Sequence, residues 1–219
     1  RLRQMRERPM SVSELASRNG RRVLPPSPSV AVVGATGAVG VELVKCLEAR
    51  KFPLSRLKLL ASPRSAGKSM NFQGREVTID ALDAVSLDDV DIALFAAGSS
   101  ISKDFAKPAR KRTVVVDNSS AFRMDEDVPL VIPEINADHL GLIERQRENR
   151  GWNKGFIVTN PNCAVVSFAP PLAALHRRFG VREVILTTFQ AISGAGYPGV
   201  ASLDIMDNVV PYIAGEEPK

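Results

Sequence analysis

Apolar residues fall along this chain in short unbroken blocks, separated by glycine, proline and small polar residues. The first block, "SVAVV" (29–33), is β-branched and runs through "GATGAVG" into "VELVKCLEAR", where apolar positions recur at helical spacing. This predicts a strand, a glycine-rich turn and an amphipathic helix. "LKLLAS" (57–62) predicts a second strand, followed by the loop "PRSAGKS" and a hairpin through "MNFQGREVTI" (70–79). "VDIALFAAGSS" (90–100) and "TVVVDNSS" (113–120) predict two more strands, with a helical "SKDFAKPARKR" between them.

Runs instead of alternation argue that both faces of these strands are covered, as in a parallel sheet flanked by helices. The expected fold class is therefore α/β, a Rossmann-type doubly wound parallel sheet. Ligands on such sheets bind beyond the carboxyl ends of the strands. Those ends carry "GATGAVG", "SPRS", "AAGSS" and "DNSSAFR", so four strand ends are expected to converge on one crevice.

From about residue 158 the pattern changes. "NCAVVSFAPPLAALHRRFG" predicts a helix bent at Pro170–Pro171, and "VREVILTTFQAIS" (181–193) a strand, which together mark entry into a second domain. The expected organisation is a disordered basic leader over 1–28, a nucleotide-binding domain over 29–158 and the beginning of a second, α+β domain over 159–219.

Composition changes this picture little, and charge narrows it. The chain has 219 residues, 44% of them hydrophobic, and a formal charge of +5. Residues 1–28 hold seven arginines against Glu7 and Glu14, leaving 22 basic residues against 22 acidic ones in the remainder. The basic excess thus belongs to the leader, and the folded part has no electrostatic footprint for nucleic acid. An Arg-rich, acid-poor leader suits an organelle transit peptide, and equally an expression remnant or a mis-called upstream start. No apolar stretch reaches about 18 residues, which excludes a membrane-spanning helix. Two cysteines with no secretory signal predict free thiols in a reducing compartment, cytoplasmic or, with a transit peptide, plastid or another organelle. No metal site is expected.

The turn Gly34-Ala35-Thr36-Gly37-Ala38-Val39-Gly40 is a G-x-x-G-x-x-G variant of the dinucleotide fingerprint, in which glycines let a pyrophosphate approach a helix N-terminus. The second strand of such folds usually ends in an acid that binds the adenosine ribose hydroxyls. Here Ser62, Arg64 and Ser65 stand instead, a set that would bind a 2′-phosphate and so favours NADP over NAD. Asn118, Ser119, Ser120 and Arg123 place neutral donors and one planar cation at another strand end, suited to phosphate or carboxylate.

Cys163 follows Asn160-Pro161-Asn162 and falls in the first turn of the helix after it, where a helix dipole and free N–H groups favour a thiolate and could hold an oxyanion. Cys46, by contrast, reads as an inert core residue of the first helix. A thiolate near a nicotinamide suggests attack on an aldehyde, hydride loss and release of a thioester to an acceptor. Such chemistry needs a general base. His139 and His176 are the only histidines, and His176 would lie about 20 Å along the helix from Cys163, so both read as structural or surface residues. Either the base is not histidine or it lies outside these residues.

From about residue 29 onward the chain resembles the aspartate-semialdehyde dehydrogenase family, through "VAVVGATGAVG", "SPRSAGK", "FAAGSS", "VDNSSAFR", "VIPEIN", "NPNC", "FQAISGAG" and "GEEPK" in that order. The resemblance implies NADPH-dependent, reversible reduction of 4-phospho-L-aspartate to L-aspartate 4-semialdehyde and phosphate, in lysine, threonine and methionine biosynthesis. It implies Cys163 as nucleophile, Gln190 as the residue that orients substrate, and Asn162 and Gly194 as lining. Arg123 and Lys219 match phosphate-binding positions, and Glu216 a substrate-amine position. Thr36, Gly37, Ala38, Val39, Arg64, Ser65, Ser193 and Gly194 match cofactor positions, and Ser99 and Ser100 add hydroxyls nearby. The second domain would be catalytic and dimerising, and the partner of the full-length chain a second copy of itself.

The family's substrate-binding Arg and base His follow the Glu-x-x-Lys motif, whereas this chain stops at Lys219. The expectation is a fragment, inactive by itself. N-acetyl-γ-glutamyl-phosphate reductase is the nearest alternative, with the same fold and a cysteine in a similar turn but Gly where this chain has Asn162. A non-catalytic NADP-binding sensor is the alternative from another class.

Overall fold

A computed structural model describes residues 24–106, 113–195 and 205–210. The chain divides into two compact units, one ending at Asn160 and the other beginning at Pro161.

The first unit is built on a seven-stranded sheet in the order β3-β4-β2-β1-β5-β6-β7. Its strands are β1 (Ser29–Val33), β2 (Arg56–Ala61), β3 (Ser69–Phe72), β4 (Arg75–Ala81), β5 (Ile92–Phe95), β6 (Val114–Asp117) and β7 (Phe156–Thr159). All neighbours are parallel except β3 and β4, which form an antiparallel hairpin at one edge. Helix α1 (Ala38–Ala49) connects β1 to β2, α2 (Ser99–Phe105) follows β5, and α3 (Pro133–Asn136) and α4 (Leu142–Arg150) lie between β6 and β7.

The unbroken apolar runs have the reason expected of them. Ala31 and Val33 of β1 pack in one core with Leu60, Ala93, Phe95, Val115 and Ile157, while Val30 and Val32 pack on the opposite face with Val44, Leu47, Leu59 and Ile79. Successive side chains of one strand thus enter two different cores, so neither face can be polar.

Several elements differ from the expectation. The expected hairpin forms as β3 and β4, and beyond that expectation β4 pairs parallel with β2 and extends the main sheet. Helix α2 begins at Ser99, earlier than the sequence suggests, and ends at Phe105; residues 107–112 lie outside the described residues. Helix α4 and strand β7 had no clear sequence signature. Mean polarity hides α4, yet Gln146 in its middle is fully buried. Its amide accepts from Ile157 N–H at 2.7 Å and donates to the Ile157 and Asp127 carbonyls, both at 3.0 Å, which fastens α4 to β7.

Cys46 is exposed and not a core residue. The buried stripe of α1 is Gly40, Val44 and Leu47, and Cys46 falls beside it.

In the second unit, α5 (Cys163–Phe179) runs through Pro170 and Pro171 and ends at Gly180, whose φ of 73° closes the helix in the left-handed region. The strand expected over 181–193 does not form. Residues 181–191 have no regular structure, and Ile185 and Phe189 are 92% and 80% exposed. A strand exists through its ladder, and among the described residues of this unit no extended segment pairs with it. The leader through residue 23 lies outside the described residues.

Candidate active site

The first unit joins its strand ends into one rim. Gly34, the first residue after β1, has φ +85°, and a Cβ there would come within 2.9 Å of the Ala96 carbonyl carbon and oxygen just past β5. Gly34 N–H and Ala35 N–H both donate to the Leu60 carbonyl of β2, at 2.8 and 3.1 Å. The turn is therefore pinned between two neighbouring strands and has room only for glycine. Gly40 is equally constrained from the other side, since a Cβ there would lie 2.1 Å from the Gly34 oxygen. Gly37 differs: it caps α1 in extended geometry, with φ −76°.

Thr36, Gly37, Ala38 and Val39 are exposed at the start of the 12-residue helix α1, which has no acidic residue in its first turn. Gly37 N–H donates to the Gly34 carbonyl at 3.0 Å, and beyond it the first turn of α1 offers its N–H groups and the positive end of a helix dipole to an anion. Across a hydroxyl pair, Thr36 Oγ1 to Ser65 Oγ at 3.4 Å, this turn meets the Pro63–Ser65 turn that follows β2. Arg64 is exposed there with no ion pair among the described residues. The donor set suits the phosphates of a dinucleotide: Gly34 and Gly40 let the turn fold tightly against its own backbone, which leaves the start of α1 exposed, and the Arg64 guanidinium stands beside it with no acid in the turn.

The ends of β5 and β6 meet in the same way. Asn118 Nδ2 donates to the Phe95 carbonyl at 2.8 Å, and Ser99 Oγ lies 2.9 Å from Ser120 Oγ. Arg123 is half-buried; its Nη2 donates to the Asn118 carbonyl at 2.8 Å and its Nε to the Asn160 carbonyl at 2.9 Å. Asp117, the last residue of β6, is buried beneath this loop. It holds the loop from below, and its signal in the sequence is a charge inside an apolar strand end.

In the second unit, Asn162 caps α5: its Oδ1 accepts from Val165 N–H at 2.9 Å. Its Nδ2 is buried without a hydrogen-bond partner among the described residues. Cys163 is the first residue of the helix and is exposed. Gln190, 27 residues later, donates Nε2–H to Cys163 Sγ at 3.5 Å. Gly194 lies in the short turn Ile192–Ala195, where a Cβ would meet nothing within 4 Å; Ser193 contributes its backbone to the same turn. Glu216 and Lys219 lie outside the described residues. His176 is exposed near the far end of α5 with Nδ1 3.1 Å from the Val181 carbonyl, and His139 is exposed in a short turn of the first unit.

The perturbed ionisations belong to structural pairs. The Asp127 carboxyl is held below its ordinary range, first by its hydrogen bond to Arg150. Arg56 does the same for Asp89, and Ser86 for Asp83.

Comparison with known proteins gives two family matches, "Semialdehyde dehydrogenase, NAD binding domain" over residues 29–143 and "Semialdehyde dehydrogenase, dimerisation domain" over residues 172–219. Aspartate-semialdehyde dehydrogenase of Archaeoglobus fulgidus is 48% identical over 204 residues, covering 87% of this chain and 58% of that protein. Its Bacillus subtilis counterpart is 45% identical over 175 residues, 80% of this chain and 47% of that protein. A crystal structure of aspartate semialdehyde dehydrogenase II from Vibrio cholerae, complexed with ASA, superposes with a TM-score of 0.70 at 37% identity, over 79% of this chain and 49% of that one. The Candida albicans enzyme with NADP gives 0.68 at 31% identity, over 87% and 57%. The chain spans about half the length of the curated relatives it matches.

Proposed function

This chain belongs to the semialdehyde dehydrogenase family, and we propose that it carries the cofactor-binding and thiol-bearing parts of an NADP-dependent aspartate-semialdehyde dehydrogenase. The observation that carries the reading is the hydrogen bond from Gln190 Nε2 to Cys163 Sγ at the head of α5. A cysteine that begins a capped helix, meets a side-chain amide and follows a nucleotide-binding fold is suited to covalent catalysis on a carbonyl.

Cys163 Sγ adds to the aldehyde carbon of L-aspartate 4-semialdehyde, giving a hemithioacetal whose oxygen is held by the first-turn N–H groups of α5 and by Asn162. Bound NADP supplies the acceptor for the hydride that leaves this carbon. The product on the enzyme is a thioester at Cys163. A phosphate oxygen then attacks the thioester carbonyl, the carbon–sulfur bond breaks, and 4-phospho-L-aspartate leaves with Cys163 restored as thiolate. Gln190 orients the substrate beside Sγ. Asn118 and Arg123 bind the phosphate, with Lys219, while Glu216 binds the substrate amine. Gly34, Thr36, Gly37, Ala38 and Val39 hold the pyrophosphate, Arg64 and Ser65 the 2′-phosphate, and Ser193 and Gly194 the nicotinamide end. His176 does not serve as the proton acceptor for Cys163, because it lies about 20 Å along α5.

The match to a dimerisation domain over 172–219 supports a homodimer. Two free cysteines support a reducing compartment, and no described helix is long and apolar enough to cross a membrane. The reading is tested by following NADPH formation from L-aspartate 4-semialdehyde in the complete protein. Formation is expected to require phosphate and Cys163 and to prefer NADP. Turnover of N-acetyl-glutamate semialdehyde in its place would transfer the assignment to the acetylated-glutamyl reductases.

A further inference from the structure

Asp117 ends β6 with 0% of its surface exposed, and among the described residues it makes no ion pair. A buried carboxylate is costly unless donors surround it. Here three do. Oδ1 accepts from Ser102 Oγ at 2.8 Å and from Ser119 N–H at 3.0 Å, and Oδ2 accepts from Ser119 Oγ at 2.8 Å. Ser102 belongs to α2, so the carboxylate also ties the helix after β5 to the loop after β6.

The network continues towards the rim. Ser119 Oγ, having donated to Asp117, accepts from Ala121 N–H at 3.1 Å. Phe122 is then anchored in the core, and Arg123 turns back to donate to the Asn118 carbonyl, closing residues 118–123 into a ring. An acceptor-only group at the root sets every hydroxyl in this chain to one direction; an amide in its place would present N–H to Ser119 Oγ and compete with Ala121. The apolar strand itself has no need of a charge at that point.

We propose that Asp117 is a positioning residue, which through Ser119 and Ala121 fixes the loop that presents Asn118 and Arg123 to the anionic group of the substrate. It touches neither substrate nor cofactor. The inference rests on the phosphate-binding role given above to Asn118 and Arg123, and one of its readouts is independent of turnover. Asp117→Asn preserves size and two of the acceptor contacts; Ser119→Ala removes only the hydroxyl relay and guards against a variant that fails to fold.

The test measures three quantities in the complete protein: solvent exchange of the Arg123 Nε–H by heteronuclear NMR, KM for phosphate, and the dissociation constant of NADP. Both variants are expected to speed the exchange roughly tenfold and raise KM for phosphate about tenfold, with NADP affinity changed less than about twofold. Exchange and phosphate KM that stay at the wild-type values, even with a lowered melting temperature, would overturn the proposal and reduce Asp117 to a core acceptor. If the wild-type protein does not use the semialdehyde, the functional reading fails separately, and accelerated Arg123 exchange in both variants still supports the positioning link.

Discussion

Gln190 Nε2 reaches Cys163 Sγ over 3.5 Å across 27 residues of chain, so the thiol at the head of α5 is met by a side chain from beyond the far end of that helix. Cys46 and Cys163 are both exposed, and exposure alone would label them at the same rate. Iodoacetamide is expected to modify Cys163 about tenfold faster than Cys46 near neutral pH, read by peptide mass spectrometry, because Cys163 opens its helix and meets the Gln190 amide whereas Cys46 lies within α1. Gln190→Ala should lower kcat/KM roughly 10²-fold, the scale of losing one polar contact to the reacting group. Cys163→Ala should abolish turnover while NADP binding persists.

The glycine turn separates its members. Gly34→Ala forces a side chain into the left-handed region and against the Ala96 carbonyl, and Gly40→Ala meets the Gly34 oxygen at 2.1 Å. Each should destabilise the protein by about 2–4 kcal/mol in urea unfolding and abolish NADP binding. Gly37→Ala has φ −76° and a 3.3 Å approach, so it should fold nearly normally and reveal its effect in NADP affinity alone.

Arg64→Ala tests the choice of cofactor. Loss of a charge-assisted contact of about 1.5–3 kcal/mol should weaken NADP about 10–100-fold and leave NAD unchanged, measured by fluorescence titration of the two reduced cofactors. Equal losses for both would show that Arg64 does not meet the 2′-phosphate.

Acid sensitivity should concentrate at Arg150. Its Nε donates to Asp127 Oδ2 at 2.7 Å and its Nη2 to Asp125 Oδ2 at 2.8 Å, and this pairing holds the Asp127 carboxyl below its ordinary range. A carboxyl depressed in the folded state contributes stability that is present above its unfolded value, about pH 4, and is lost as pH falls through the folded value. Asp127→Asn should therefore cost about 1–3 kcal/mol at neutral pH, and the gap to wild type should close in melts below about pH 4.

Much of the nucleotide-binding half was legible because its signals are local. A β-branched run, a glycine that must take positive φ and an amphipathic stripe are each decided by a few neighbouring residues. The chemistry at 34–40, 62–65 and 118–123 could be placed at strand ends for the same reason. Strand β7 and helix α4 escaped notice because their stability comes from Gln146, a polar residue whose burial depends on a strand 11 residues downstream. The stretch 181–193 misled in the opposite sense: its apolar, β-branched residues have strand propensity, but propensity supplies no partner for the ladder.

By itself, then, the sequence determined the order of strand, turn and helix, the positions where only glycine fits, and the residue types gathered at each strand end. These follow from backbone sterics and from side-chain period, which act over a few residues. Tertiary structure alone decided that β4 lies parallel to β2 inside the main sheet, that Cys46 faces solvent, that Asp117 is the buried root of the Arg123 loop, and that Gln190 meets Cys163. Each of these depends on which distant backbone or side chain supplies the complementary hydrogen bond or packing surface, and that pairing is set by the closure of the whole chain.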